Sequence, residues 1–310
     1  MTEDPSAGTS DTVGPIDAVK RLRWCAEAFE RLGCTVSSSS RLSSAISRLQ
    51  RCETDRALLL DARWRILAAE AHRMSWELMV IAMRALRADR ETTAFPRWKL
   101  QEILAGQEAP DVGNQHARNT QFELYAPALF AEAGYDIKAG VADAQWDFYG
   151  ESLRLEAKRL NTRSERTLEE RLREAARKIA GPSRSPLLET AESRGLIVVN
   201  VDLHFGDFSV AGHAVPPDAA FRERFRVVEL AGRRVLDRYS IIGILAFGYA
   251  FQWHLTEGGR PHLRMFYPTL WWSLSGGDPA ERQMARRMGV VGKRVTEVAS
   301  ELATRLPSWR

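Results

Sequence analysis

The sequence predicts an α/β fold, a mixed sheet flanked by helices and preceded by an all-helical region. Three patterns carry that prediction. Residues 145–158 alternate apolar and polar side chains on either side of Gly150, as the two strands of a hairpin do. Leu196-Ile197-Val198-Val199-Asn200-Val201 is a nearly unbroken β-branched run, the mark of a central strand covered on both faces. Long stretches elsewhere repeat apolar residues at helical spacing.

In chain order, residues 1–13 are small, polar and acidic, cannot bury a surface, and are expected to form a disordered tail. Residues 14–107 read as a helical N-terminal region. Ile16, Val19, Leu22, Phe29 and Leu32 share a helix face that Gly33 stops, Leu42, Ile46 and Leu49 mark a second stripe, and Leu59, Ile66, Trp76, Val80 and Met83 a long helix or two stacked ones. Trp24, Trp64 and Trp76 fit core packing better than a base-stacking surface.

A helix from Asn114 to Ala133, stopped by Gly134 and expected to kink or to begin a second piece at Pro127, leads into a first strand over Tyr135 to Val141. His116 and Arg118 at its start are candidate phosphate contacts. Beyond the hairpin, Thr162-Arg163-Ser164-Glu165 fits a capping box opening a helix with Leu168, Leu172, Ala175 and Ile179 on one face. Its polar side mixes Arg166, Arg173, Arg177 and Lys178 with glutamates, the pattern of a solvated face, and Gly181-Pro182 ends it. Further β-rich runs span Ile241 to Trp253 and Arg264 to Leu274. Asp278-Pro279-Ala280-Glu281 starts a last helix whose seam, Met284, Met288, Val291, Val295, Val298 and Leu302, should bury against the N-terminal helices or a second copy of the chain, making a homo-oligomer an expectation.

Composition narrows the function classes. A net charge of +4 and a pI near 9.1 are compatible with a nucleic-acid partner without requiring one. Three scattered cysteines without metal-ligand spacing suit a reducing cytoplasm. The acidic, small first residues do not read as a signal peptide, and no apolar run reaches the roughly 18 residues of a membrane span, so a cytoplasmic protein with no membrane partner is expected. There is no Walker loop, GxGxxG or zinc cluster.

The hairpin carries the chemistry. A two-residue turn at Gly150-Glu151 would set Tyr149 opposite Ser152, Phe148 opposite Leu153, Asp147 opposite Arg154 and Gln145 opposite Glu156. Asp147, Glu156 and Lys158 then project from one face, with Trp146, Phe148, Leu153 and Leu155 behind them. The two acids would sit at diagonal positions roughly 7 Å apart at the backbone, close enough to share one hard cation, Mg²⁺ or Mn²⁺. Lys158 could hold a water or neutralise a phosphate beside it. The competing reading is a solvated hairpin whose surface ion pairs are worth about 0 to 1 kcal/mol each.

The order helix, strand, strand with Asp147, strand with Glu156-Ala157-Lys158, amphipathic helix, apolar strand resembles the PD-(D/E)xK nuclease superfamily. The resemblance covers about residues 114 to 203 and departs where Trp146 replaces the nominal proline. It implies a restriction-endonuclease-like mixed sheet in a domain spanning 108–310, and a Mg²⁺- or Mn²⁺-dependent nuclease acting on nucleic acid, DNA foremost. Foreign-DNA defence, repair and transposon processing are equally compatible settings. It also implies Asp147, Glu156 and the carbonyl of Ala157 as metal ligands, Lys158 as the catalytic lysine, and Glu123 as an added acid from the preceding helix. The alternative is a catalytically inactive relative that keeps the fold as a nucleic-acid-binding or scaffolding module.

Overall fold

The computed structural model describes residues 10–13, 15–88, 95–105, 115–138, 144–148, 151–160, 164–180, 195–200, 217–236, 238–239, 241–247, 250–255, 261–266, 269–273 and 279–304. Helices α1 (Pro15–Arg31), α2 (Arg41–Thr54), α3 (Ala62–Arg87) and α4 (Arg97–Leu104), with a short 3-10 turn at Arg56–Leu60, build the N-terminal region. Gly33 ends α1 in the left-handed region at φ 80°, and the Cys34 amide reaches back to the Phe29 carbonyl, a closure that glycine accommodates without a Cβ penalty. Ser40 caps α2 by accepting from the Ser43 amide, and Asp61 caps α3 by accepting from Arg63 and Trp64. One long helix, α3, therefore covers the stretch that left one helix or two open. Trp76 is fully buried, while Trp24 and Trp64 lie partly buried against the same core.

Helix α5 (His116–Glu132) runs through Pro127 as one element and closes at Gly134, φ 91°, as α1 does at Gly33. The chain then forms β2 (Ile137–Lys138), β3 (Ala144–Phe148), β4 (Glu151–Arg159), α6 (Glu165–Ala180), β5 (Gly195–Asn200), α7 (Pro217–Leu236) and β6 (Ile241–Phe247). After β7 (Ala250–Leu255), β8 (Pro261–Phe266) and β9 (Thr269–Ser273), α8 (Pro279–Thr304) completes it. A six-stranded mixed sheet has the order β2-β3-β4-β5-β6-β9, with β4, β5 and β6 parallel and the outer pairings antiparallel. Each of the two late β-rich runs divides between two strands. One strand of each enters this sheet, and the other joins β1 (Ser10–Val13) in a three-stranded sheet of order β1-β8-β7.

Strand β1 is Ser10–Val13, paired antiparallel with β8. These four residues fall in the stretch whose composition suggests a tail; residues 1–9 lie outside the described residues. Main-chain hydrogen bonds hold an edge strand, and composition reports only on what side chains can bury.

The main sheet is covered on both faces. One core joins α1 to α5 and α8 with Trp146, Phe148, Leu153, Leu155, Ala157, Leu196, Val198 and Leu245, and it runs without a break from the N-terminal helices into the sheet. A second core packs α6 and α7 on the reverse face, around Ile197, Val199, Ile244 and Ala246. β5 is buried at every position, as an unbroken apolar run requires. The seam of α8 closes within the chain: Met284, Met288, Val291, Val295 and Val298 are buried, and α8 lies against β9, β6 and α5. That differs from burial against the first helices or a second copy: the contacts of α8 run to β9, β6, α5 and Ser10–Val13.

Candidate active site

The hairpin register sets the geometry. β3 and β4 pair Ala144 with Leu155, Gln145 with Arg154, Trp146 with Leu153, Asp147 with Ser152 and Phe148 with Glu151. The connection is therefore Tyr149-Gly150, one residue earlier on each side than Gly150-Glu151, and every expected pairing moves by two residues. Because side chains alternate with period two, the faces survive the shift. Trp146, Phe148, Leu153 and Leu155 are buried against α5, with the Trp146 ring 5.9 Å from that of Phe130 and 4.9 Å from that of Tyr135. Gln145, Asp147, Ser152, Arg154, Glu156 and Lys158 share the other face.

The distances along the strand do not survive. Asp147 now stands across from Ser152, four residues from Glu156, or about 13 Å at a strand's rise per residue. The expected diagonal contact between the two acids is thus corrected. The Asp147 side chain is 58% exposed and ion-paired with Lys138 at 3.5 Å, a contact of the kind worth little in water. Asp143, which directly precedes β3 in the chain, lies outside the described residues.

Glu156 occupies a different setting. It sits on β4 between β3 and β5, opposite Ile197, and its side chain is 0% exposed. Lys158 Nζ lies 2.8 Å from its Oε1, and Lys178 Nζ, from the last turn of α6, lies 2.9 Å from the same oxygen. Both ammonium groups approach at ion-pair distance without hydrogen-bond alignment, and Oε2 has no hydrogen-bond partner among the described residues. A buried carboxylate with one oxygen unengaged is a donor suited to a hard cation. Glu156 fits that role and Asp147, from its place in the register, does not. Among the described residues no three His, Cys, Asp or Glu side chains gather as a metal site.

Helix α6 reaches Glu156 because two contacts fix its end. Arg154 Nη1 donates to the Ile179 carbonyl at 2.8 Å, and Gly195 lies against the Ile179 side chain and the Arg154 carbonyl, where a Cβ would collide with both. Ser164, capping α6 by accepting from the Thr167 amide, fixes the other end. Lys178, which sequence reading groups with a solvated face, is the site residue it missed. Its signal is its position three residues after Ala175 and next to Ile179, at the border of the helix's apolar stripe. Ala157 is buried mid-strand, paired with Val198. Glu123 is half-buried on α5, which packs on the reverse face from Glu156, and no ion pair or hydrogen bond joins it to Glu156 or Lys158 among the described residues. Arg163, beside the cap of α6, lies outside the described residues.

A second charged cluster, hidden in the apolar run of α3, ties the helical region to the sheet. Arg73 donates to Glu70 at 2.6 Å and to Glu77 at 3.2 Å, Arg118 donates to Glu70 at 2.5 Å, and Gln121 donates to Glu77. Burial pushes the Glu70 carboxyl upward, but Arg118, Arg73 and Arg159 outweigh it and hold it at about 2. Burial, with Arg73 and Arg159 nearby, lowers the Arg41 guanidinium to about 10. Arg118 is thus a buried structural residue, not an open phosphate contact, and His116 pairs with Glu102.

His72, also buried in α3, is pushed down to about 3 by burial and by Arg21. Its folded value lies below the unfolded 6.5, so the unfolded chain takes up a proton first and stability falls as pH drops from 6.5 toward 3. Glu70 adds to the loss in the same direction from 4.5 toward 2. The free energy of unfolding should therefore decline below pH 6.5, by up to about 1.4 kcal/mol per pH unit from His72, with the melting temperature falling alongside it, and His72→Leu should flatten the profile between pH 6.5 and 5. An unchanged slope in that variant would remove His72 from the explanation.

No family model, curated protein or solved structure matches the chain. Among the described residues, no helix is long and apolar enough to cross a membrane.

Proposed function

We propose that the chain is a divalent-metal-dependent nuclease that hydrolyses phosphodiester bonds, in DNA foremost, from a centre built on Glu156 and Lys158. The observation that carries the reading is the fully buried Glu156 carboxylate, with one oxygen unengaged and the Lys158 ammonium 2.8 Å from the other. Its second support is the element order α5, β2, β3, β4, α6, β5, with the first three strands antiparallel and β5 parallel to β4, which matches the order that the sequence resemblance implies. A bound Mg²⁺ or Mn²⁺ would supply Lewis-acid activation of water and phosphate. Glu156 would anchor it through oxygen, and Lys158, confined on a central strand at 14% exposure, would place a fixed positive charge beside the phosphate.

The test is degradation of labelled duplex DNA, single-stranded DNA and RNA with Mg²⁺, Mn²⁺ or a chelator. Cleavage that the chelator abolishes is the expected result; none with any substrate or metal would refute the activity. One observation favours a second reading, a catalytically silent nucleic-acid-binding module: two lysines already pair with the one Glu156 carboxylate. Metal-independent retention of DNA without cleavage would select it.

A further inference from the structure

Helix α4 is short and firmly seated. Leu100, Ile103 and Leu104 fill the core beneath it. The Gln101 side chain pairs with the Thr35 backbone in both directions, its Oε1 accepting from the amide at 2.7 Å and its Nε2 donating to the carbonyl at 3.0 Å. The buried Arg41 donates to the Ile103 carbonyl at 3.1 Å and so holds the helix's last turn. Arg97 lies across the end of α1, where a Cβ at Gly33 would stand 3.4 Å from its guanidinium and where the negative end of that helix favours a cation. On this fixed support Trp98 is left outside, 64% exposed, although an indole is among the largest apolar surfaces a residue can bury.

The surroundings of the ring decide what it fits. Arg97 before it is exposed, and the Nζ of Lys99 after it lies 5.7 Å from the ring centre. Glu102, the acid of α4, is turned to α5, where His116 pairs with it and Thr120 donates to it at 3.2 Å. The outer side of the helix is therefore one flat ring bordered by cations. The other exposed large apolar side chains among the described residues, Leu60, Ile66, Leu86, Leu230 and Val290, belong to other elements. A protein partner anchors on an apolar patch rimmed by polar residues, and one ring between two cations is not such a patch. It matches a ligand whose flat π faces are strung on anionic links. Bases in a duplex spend those faces on one another, so the match is to an unpaired strand.

We propose that α4 is a stacking platform for single-stranded nucleic acid, with Trp98 receiving a base and Arg97 and Lys99 meeting the phosphates beside it. Because α4 packs on α5, across the main sheet from Glu156, the platform holds the strand and takes no part in breaking bonds. The inference shares its nucleic-acid partner with the reading above and needs neither a metal nor Glu156.

The experiment measures binding to the full chain by fluorescence anisotropy, with a chelator present so that no metal-dependent cleavage intervenes. The probes are a labelled oligo-dT of about 20 nucleotides, longer than one fold's usual site, and an abasic strand of equal length, which keeps the phosphates and lacks the bases. Trp98→Ala should weaken oligo-dT binding about tenfold and Trp98→Phe about twofold, while the abasic strand binds the wild type more weakly and is indifferent to Trp98→Ala. Arg97→Gln and Lys99→Gln should each flatten the log–log dependence of affinity on salt by about 0.7. Thermal unfolding should place every variant near the wild type, since the changed side chains lie at the surface. Oligo-dT binding no better than the abasic strand, or a folded Trp98→Ala binding as the wild type does, overturns the platform. Poly-glutamate competing as well as oligo-dT would overturn it in favour of an acidic protein partner. Trp98-dependent binding in a chain that cleaves nothing would leave the platform and remove the nuclease; cleavage with binding indifferent to Trp98 would do the reverse.

Discussion

Glu156→Gln is expected to lower metal-dependent cleavage by about a thousandfold, and Lys158→Ala by about a hundredfold or more, while Asp147→Asn stays close to the wild-type rate. The contrast follows from position. Glu156 and Lys158 are neighbours on one face of a central strand, 2.8 Å apart at their charged ends. Asp147 is four residues away along the ladder, more than half exposed, and occupied by Lys138. Initial rates on duplex DNA at saturating Mg²⁺, with circular dichroism to establish folding, make the comparison. Asp143→Asn, run in parallel, tells whether a second acid comes from the segment before β3. A loss in Asp147→Asn as deep as in Glu156→Gln would return Asp147 to the centre and overturn the register argument.

The largest effect on stability should come from Arg73→Met, at about 3 to 5 kcal/mol. Arg73 is fully buried and bridges Glu70 and Glu77, so its removal takes an ion pair from each and leaves the Gln121 amide on Glu77. Glu70 keeps Arg118, which limits the damage on that side. The midpoint of urea unfolding should fall at unchanged slope, and adding Glu77→Gln to the variant should recover part of the loss, because the second change removes the stranded charge. A loss below about 1 kcal/mol would mean that water or rearrangement satisfies the glutamates.

Several features of the fold are legible in residue order because they depend on neighbours in the chain. Gly33 and Gly134 end helices where only a residue without a Cβ adopts positive φ cheaply, and both positions can be picked from sequence. The unbroken run at 196–201 reads as a buried central strand because both of its faces meet a packed layer, and β5 does meet one on each side. The seam of α8 is equally visible, but its partner is not, since apolar periodicity states that a face is buried and leaves open what buries it. The charges of α3 carry no such signal: Glu70, Arg73 and Glu77 stand within its apolar pattern, and only the fold brings Arg118 and Gln121 of α5 against them.

The amino-acid sequence by itself determined which side chains of the hairpin share a face once a two-residue turn is read, since alternation along a strand then places Asp147, Glu156 and Lys158 on one side for either two-residue connection, whereas a loop one residue longer would part them. Only the tertiary structure decided how far apart they stand. Sliding one strand by two residues leaves every apolar side chain on the core side, so patterning cannot tell the two registers apart, yet that slide carries an acid about 7 Å further along the ladder. The arrival of Lys178 at Glu156 belongs to the same category, because it depends on how closely α6 can approach β4 over Gly195.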